Sequence, residues 1–92
     1  LVVLMGRKVI DPRLVFHLVP CNSIHTFGKT VPLTVIFLDK QLRVLHVIDY
    51  LAPARVAWYR QAWSVLELRA GSITSNRQAQ ELVAALLPVN IV

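Results

Sequence analysis

Cys21 and His25 carry the first chemistry that the sequence offers, because a thiol and an imidazole can form a nucleophile–base pair or bind a zinc ion. A nucleophile–base pair needs its two side chains about 3 Å apart. Pro20 and the extended pattern around these residues predict a strand or loop, in which residues four apart lie roughly 13 Å from each other. We therefore expect no catalytic dyad and interpret Cys21 as a buried structural thiol.

Two further histidines, His17 and His46, could add to a zinc site. The spacing of the cysteine and the three histidines matches no zinc-binding motif. On its predicted strand, His46 shares one face with the apolar residues Val44 and Ile48. This favours a neutral, hydrogen-bonded histidine in the core. The sequence thus predicts no metal site and no cofactor.

Asp39 and Glu67 are the carboxylates that lie on predicted strands or turns. Paired carboxylates can act as acid and base, but nothing in the sequence places these two together. We expect Asp39 to cap its turn through its side chain and Glu67 to pair with a basic residue such as Arg7 or Arg69. No residue is assigned a catalytic role.

Cations and aromatic rings alternate in one segment, which contains Arg55, Trp58, Tyr59, Arg60 and Trp63. Single-stranded nucleic acids bind such surfaces by stacking and phosphate contact, whereas the alternative is that the aromatic residues pin a long loop to a thin core. Ten Lys/Arg against five Asp/Glu give a net charge of +5, but Arg7-Lys8 is the only adjacent basic pair. The charge is scattered, which favours a soluble surface with a positive bias over a surface for nucleic acid or acidic lipid.

The 92 residues fit one domain, and 55% of them are hydrophobic, above the usual share of roughly 45–50%. This surplus indicates a sheet buried on both faces, or an apolar patch for a partner or a second copy of the chain. The longest apolar run, residues 31–38, is far shorter than the roughly 20 residues of a membrane-spanning helix. The single cysteine allows no internal disulfide, so a cytoplasmic location is slightly favoured, and a signal removed upstream stays open.

The hydrophobic pattern predicts a mainly β chain. The run over residues 33–38 is apolar on both faces and predicts a central strand, and residues 39–41 turn the chain into a hairpin partner over 43–50. Residues 51–62 contain Pro53 and lack a period, which predicts a long loop. Further strands are predicted over residues 14–19, 23–27 and 63–69.

One helix is predicted, over residues 76–87. Its apolar stripe has helical spacing and consists of Ala79, Leu82, Val83, Leu86 and Leu87. Ser75 and Gln78 match the capping box that satisfies the first backbone donors of a helix. Pro88 ends the helix, because its ring clashes with the carbonyl four residues back.

Four motifs in order resemble a known family: Leu4-Met5-Gly6-Arg7, Pro20-Cys21-Asn22-Ser23-Ile24-His25-Thr26-Phe27, Val31-Pro32-Leu33-Thr34-Val35-Ile36-Phe37-Leu38-Asp39 and Val65-Leu66-Glu67-Leu68-Arg69-Ala70-Gly71. They are similar to the bacterial and archaeal domain of unknown function 192, and the version around Cys21 resembles a proteobacterial branch. The resemblance covers roughly residues 4–71. It implies a compact β-sandwich or jelly-roll-like fold with a helix packed on it, and no established activity.

Several positions depart from that family's pattern. Lys29 stands where the family tends to have methionine, and Thr34 where it tends to have aspartate. Gln41-Leu42 replaces a common Asp-Gly turn. Since leucine in a left-handed backbone costs about 1 kcal/mol or more, we expect a different type of turn here.

Together these features predict a mainly β (α+β) fold, a small antiparallel β-sandwich or jelly-roll-like sheet with one C-terminal helix. The candidate ligand-binding residues are Arg7, His25, Thr26, Asp39 and Glu67, with His25 and Thr26 in the family's most distinctive motif. The alternative for that motif is a polar network that locks its loop.

The leading hypothesis is a non-catalytic accessory or binding module that recognises a small polar ligand near His25 or a protein partner, with self-association into a homo-oligomer open. A small hydrolase that uses His25 as its base is the alternative. Weak nucleic-acid binding through Arg55 and Arg60 is the third hypothesis.

Overall fold

The computed structural model describes residues 7–11, 15–71 and 73–87, with side chains from residue 15 onward. The described strands are β1 (Arg7–Asp11), β2 (Val15–Leu18), β3 (Ser23–His25), β4 (Leu33–Leu38), β5 (Val44–Leu51), β6 (Val56–Trp58) and β7 (Ser64–Arg69), and the helix is α1 (Asn76–Leu86). They form a five-stranded sheet in the order β1-β2-β7-β4-β5 and a two-stranded sheet of β3 and β6, all antiparallel. The predicted fold class, mainly β with one C-terminal helix, is confirmed.

Strand β4 has an interior position between β7 and β5, as its sequence predicts. All six of its residues are buried, and so are five of the six residues of β7. Side chains of a strand alternate between the two faces of its sheet. A strand pair that is buried throughout must therefore be covered on both faces.

Each face of the five-stranded sheet has its own core. On one face, Ile36 and Leu66 pack with Ala79 and Val83 of the helix. On the other face, Val35, Phe37 and Val65 pack with Ile24 of β3 and Ala57 of β6. The fold thus has three layers: helix, large sheet, and the two-stranded β3–β6 sheet, which we call the ribbon.

The segment over residues 51–62, predicted to be a long loop, contains strand β6, so that prediction is wrong. Ala57 is buried between exposed Val56 and Trp58, and it lies opposite Ile24 of β3. Three residues are too few for a two-residue period to stand out in the sequence. The strand depends on its partner β3, which is more than 30 residues away along the chain.

Strand β5 is irregular where it pairs with the end of β4. Phe37 pairs with His46 and Leu38 with Val44, so one residue of β5 is left over. Such a bulge moves the following side chains to the other face. Val44 therefore packs on the helix side of the sheet, whereas Ile48 and His46 lie opposite Val35 and Phe37 on the ribbon side. The prediction that Val44 shares their face is wrong.

His46 is exposed, so its predicted place in the core is also wrong. Its ring stacks on Tyr59, with 5.3 Å between the ring centroids and 15° between the planes. Phe37 lies 6.1 Å away, also stacked. This aromatic cluster joins the edge strand β5 to the segment that follows β6.

The β4–β5 turn is capped by Asp39, as predicted. Its carboxylate accepts hydrogen bonds from the backbone N–H groups of Gln41 and Arg43, each at 2.9 Å, and from Arg43 Nε at 2.9 Å. Leu42 has φ +62°, so it occupies a left-handed backbone conformation. Leucine is strained in this conformation, and packing of the Leu42 side chain on the helix-side core offsets part of the strain.

The helix is confirmed to within one residue, since Leu87 is its C-cap rather than its last residue. Ser75 Oγ accepts from the backbone N–H of Gln78 at 3.2 Å, which is half of the predicted capping box. The Gln78 side chain accepts from the backbone of Thr74, at 2.8 Å, instead of Ser75. Among the residues described, no helix has the length and apolar character that crossing a bilayer requires.

Replacing the turn carboxylate, Asp39→Asn, tests the capping energy and its pH dependence. Partial burial alone would raise the pKa of Asp39, but hydrogen bonds from Arg43 and Gln41 hold that pKa below its usual range. The stabilisation is therefore present above the unfolded-state pKa, about 4, and is lost as the pH falls through the lower folded-state pKa. We expect the variant to have an unfolding free energy about 1–2 kcal/mol lower than the wild type at neutral pH. Below about pH 4 the unfolding free energy of the variant should fall less steeply with pH than that of the wild type.

Urea denaturation across the acid range measures both effects. Asp49→Asn, which changes an exposed carboxylate on β5, is the matched control. It should leave the unfolding free energy at neutral pH and its acid dependence nearly unchanged. An Asp39→Asn protein with the wild-type acid profile would show that the cap contributes nothing.

Candidate functional site

Thr26, a predicted site residue, is fully buried at the end of β3. Its hydroxyl donates to the Ala52 carbonyl at 2.8 Å and accepts from the Arg55 backbone N–H at 2.8 Å. Its own backbone N–H donates to the Arg55 carbonyl, and its carbonyl accepts from Ala54. Thr26 thus ties the loop before β6 to the end of β3, which agrees with a polar network that locks the loop.

His25 lies beside Thr26 in the chain but its side chain has different surroundings. It is the last residue of β3 and pairs with Val56 across the ribbon. Its half-buried ring is tilted against that of Phe27, with 5.4 Å between centroids. Nδ1 is buried and has no hydrogen-bond partner within the described part of the chain. No described group hydrogen-bonds to this nitrogen, whereas acid–base chemistry or the orientation of a small ligand would need a polar group within about 3 Å of it.

The remaining predicted site residues lie apart from His25. Arg7 is the first residue of β1 and pairs with Leu18 through the backbone, and its side chain is outside the described residues. Asp39 belongs to the β4–β5 turn. Glu67 is buried in the middle of β7, with Phe16 and Val35 as its neighbours on the two flanking strands.

Asp39 and Glu67 are not brought together either. Asp39 follows Leu38, which pairs with Ser64, whereas Glu67 lies three residues further along β7. At about 3.3 Å per residue the backbones of these two residues are roughly 10 Å apart or more along the strand direction. No cluster of three or more His, Cys, Asp or Glu side chains that could hold a metal ion occurs among the residues with described positions.

Cys21 lines an open depression of about 240 Å³ together with Pro20, Asn22, Ala62 and Trp63. The thiol is half-buried rather than buried, and it donates to the Ser23 carbonyl at 3.0 Å. Burial raises the pKa of Cys21, the Ser23 hydrogen bond opposes this, and the negative charge of Glu67 raises it further. Little thiolate forms at neutral pH, so Cys21 is a weak nucleophile.

The outer face of the ribbon carries large exposed apolar side chains. Ile24 and Ala57 point into the core, so their neighbours on each strand point outward. The outward residues are Ser23, His25, Val56 and Trp58, and Phe27 follows in the turn after β3; we call this set the ribbon face. Trp58 is 69% exposed, Phe27 57% and Val56 51%.

Sequence reasoning did not find this face, although one signal was present. The segment with alternating cations and aromatic rings contains Trp58, and its aromatic residues were expected either to stack on nucleic acid or to pin a loop. The structure divides them: Tyr59 packs on the ribbon-side core, while Trp58 points into solvent. Only the pairing of β6 with β3 decides which ring turns outward.

The two sequence segments that contain the ribbon carry charge of one sign. Residues 20–38 and 50–66, which contain the ribbon and its flanking segments, include Lys29, Arg55 and Arg60 and no aspartate or glutamate. All three cations are exposed. Arg55 immediately precedes β6 and Arg60 lies two residues beyond its end, so both ends of that strand are positively charged.

Comparisons with protein-family models, curated proteins and solved structures gave no match for this chain. The resemblance to the domain of unknown function 192 accordingly stays a prediction from four motifs.

Thr26→Val tests the loop network. The substitution keeps the side-chain shape but leaves the Arg55 N–H and the Ala52 carbonyl without the hydroxyl, so we expect a loss of about 1–3 kcal/mol of unfolding free energy. Thr26→Ser, which keeps the hydroxyl, should lose less. Urea denaturation gives the energies, and hydrogen exchange of the Arg55 amide reports whether the loop has opened. Equal stability of the Val variant and the wild type would contradict the proposed role of the hydroxyl.

The rate of alkylation of Cys21 by iodoacetamide tests the electrostatics of its depression. We expect the rate to reach half its maximum at a pH above about 8.5, the usual thiol pKa. Glu67→Gln removes a negative charge and should move this midpoint downward. Glu81→Gln, which changes an exposed helix carboxylate, should not move it. A wild-type midpoint at or below the ordinary value would contradict the pKa direction.

Proposed function

We propose that this chain is a non-catalytic protein-binding module, that the ribbon face is its recognition surface, and that its partner is an acidic protein segment. The observation that carries the proposal is Trp58, a large ring that is 69% exposed beside Val56. Tryptophan and arginine are the residue types most enriched among those that dominate the energy of protein interfaces. The ribbon face supplies a tryptophan, and the ends of β6 supply the arginines Arg55 and Arg60.

The surroundings of Trp58 support a preformed surface. The inner residues of the ribbon are anchored in the core, and the Thr26 hydroxyl fixes the loop that leads into β6. A surface that is already ordered loses less conformational entropy when a partner binds. The free energy of burying Trp58 and Val56 is therefore available for affinity.

The charge supports an acidic partner. Lys29, Arg55 and Arg60 have no acidic residue near them in the two segments that contain the ribbon. Opposite charge on the partner speeds encounter and discriminates against basic proteins. An acidic segment with an apolar anchor would match both properties of the surface.

The other hypotheses have less support in the geometry. A small polar ligand at His25, or a hydrolase that uses His25 as base, would need a second polar group beside the imidazole, and the Thr26 hydroxyl is engaged with the loop instead. Nucleic-acid binding by stacking on Trp58 agrees with the same cations and is an outcome that the experiment distinguishes. Membership of the domain of unknown function 192, proposed on the four motifs, adds no activity.

Selection of peptides from a random display library on the immobilised protein tests the proposal. We expect selected peptides to be rich in aspartate and glutamate with at least one large apolar residue. Trp58→Ala should weaken them at least about tenfold, measured by fluorescence anisotropy. Tyr50→Ala is the matched control, because Tyr50 is 64% exposed but lies on β5 in the other sheet.

Three results would contradict the proposal. A selection that yields no binder, or binders that tolerate Trp58→Ala, would remove the ribbon face as the recognition surface. Binding of oligothymidylate that depends on Trp58 and weakens steeply with salt, in the absence of peptide binding, would favour the nucleic-acid hypothesis.

A further inference from the structure

The hydrogen-bond pattern of the ribbon fixes which backbone groups face outward along its edges. Asn22 accepts from Tyr59 at one end and Thr26 donates to Arg55 at the other, both at 2.8 Å. In an antiparallel pair, residues that are bonded across the pair alternate with residues that are not. The intervening Val56 and Trp58 therefore direct their N–H and C=O groups away from β3.

The outward edge of β6 has no neighbouring strand within the described ranges, since the ribbon contains β3 and β6 alone. Val56 and Trp58 are both more than half exposed, so the residues that carry these edge groups lie at the surface. An unpaired edge of this kind is a template for an incoming strand. Strand addition is also a common way for a sheet to bind an extended peptide.

The positive charge at the two ends of β6 favours an acidic segment over a second copy of β6 as the strand that pairs with its edge. A second copy would place β6 against β6 and bring Arg55 and Arg60 of both chains together without any acidic residue from the adjoining segments. Like charges facing each other across strands are destabilising. An extended segment with acidic residues would instead pair with both arginines.

We propose that the partner binds as a third strand of the ribbon: an extended acidic segment that adds to the free edge of β6 and forms backbone hydrogen bonds with Val56 and Trp58. This inference rests on the proposed function, because it specifies how the acidic partner docks at the same surface. Side chains of the added strand that lie opposite Val56 and Trp58 share the ribbon face with them. Acidic side chains near the ends of the strand reach Arg55 and Arg60.

The probe is a capped extended peptide of alternating glutamate and valine. Two further peptides carry N-methyl groups on alternate amides: one peptide on its odd-numbered amides and the other on its even-numbered amides. Since only alternate amides of an added strand face β6, one of these two peptides cannot donate hydrogen bonds to β6. We expect the unmethylated peptide to bind and to slow hydrogen exchange at the Val56 and Trp58 amides at least about tenfold, while one methylated peptide binds at least about tenfold more weakly. Nuclear magnetic resonance measures both quantities on the intact chain.

Other outcomes overturn the inference, and they separate it from the proposed function. If both methylated peptides bind as well as the parent and only Trp58→Ala weakens them, the partner docks on the ribbon face without adding a strand, and the proposed function stands. If the unmethylated peptide does not bind while display-selected peptides depend on Trp58, the edge is not used. If the Val56 and Trp58 amides are already protected in the protein alone, the edge is occupied: dependence of that protection on protein concentration identifies a second copy, and its absence identifies another part of the same chain.

Discussion

The apolar character of both faces of β4 and β7 is the constraint on which the rest of the structure depends. A sheet whose central strands are buried throughout needs a cover on each side. The C-terminal helix covers one face through Ala79 and Val83, and the ribbon covers the other through Ile24 and Ala57. Among the described residues the second cover has two strands, so it has an outer face and a strand edge without a neighbour there.

The ribbon is short, so its position depends on polar contacts as well as on packing. Thr26 supplies these, because its buried hydroxyl and backbone satisfy three residues of the loop that enters β6. The distinctive motif around His25 and Thr26 is thereby explained as a structural element that orients a surface. A distinctive motif can mark residues that stabilise the fold or residues that bind a partner, and the sequence alone does not tell these two roles apart.

The parts of the fold that depend on local pattern could be predicted, and those that depend on distant pairing could not. The apolar run of β4, the cap of the helix at Ser75 and the capped turn at Asp39 each have their cause within a few residues. Strand β6, by contrast, exists through its pairing with β3, and the bulge in β5 is visible only in its register with β4. His46 and Trp58 were misjudged or missed for this reason, since their exposure is decided by a neighbouring strand rather than by their own segment.

An exposed strand edge is usually a liability, because it invites pairing with any other chain, and proteins commonly place charges or bulges there to prevent it. The arginines at the two ends of β6 fit that protective role, since they oppose the approach of a second copy with the same charges. The same two side chains would attract a strand of opposite charge. Protection against self-association and the proposed selection of an acidic partner would both follow from this one arrangement. The exposed ring of Trp58 between the two arginines is the feature that protection alone does not explain.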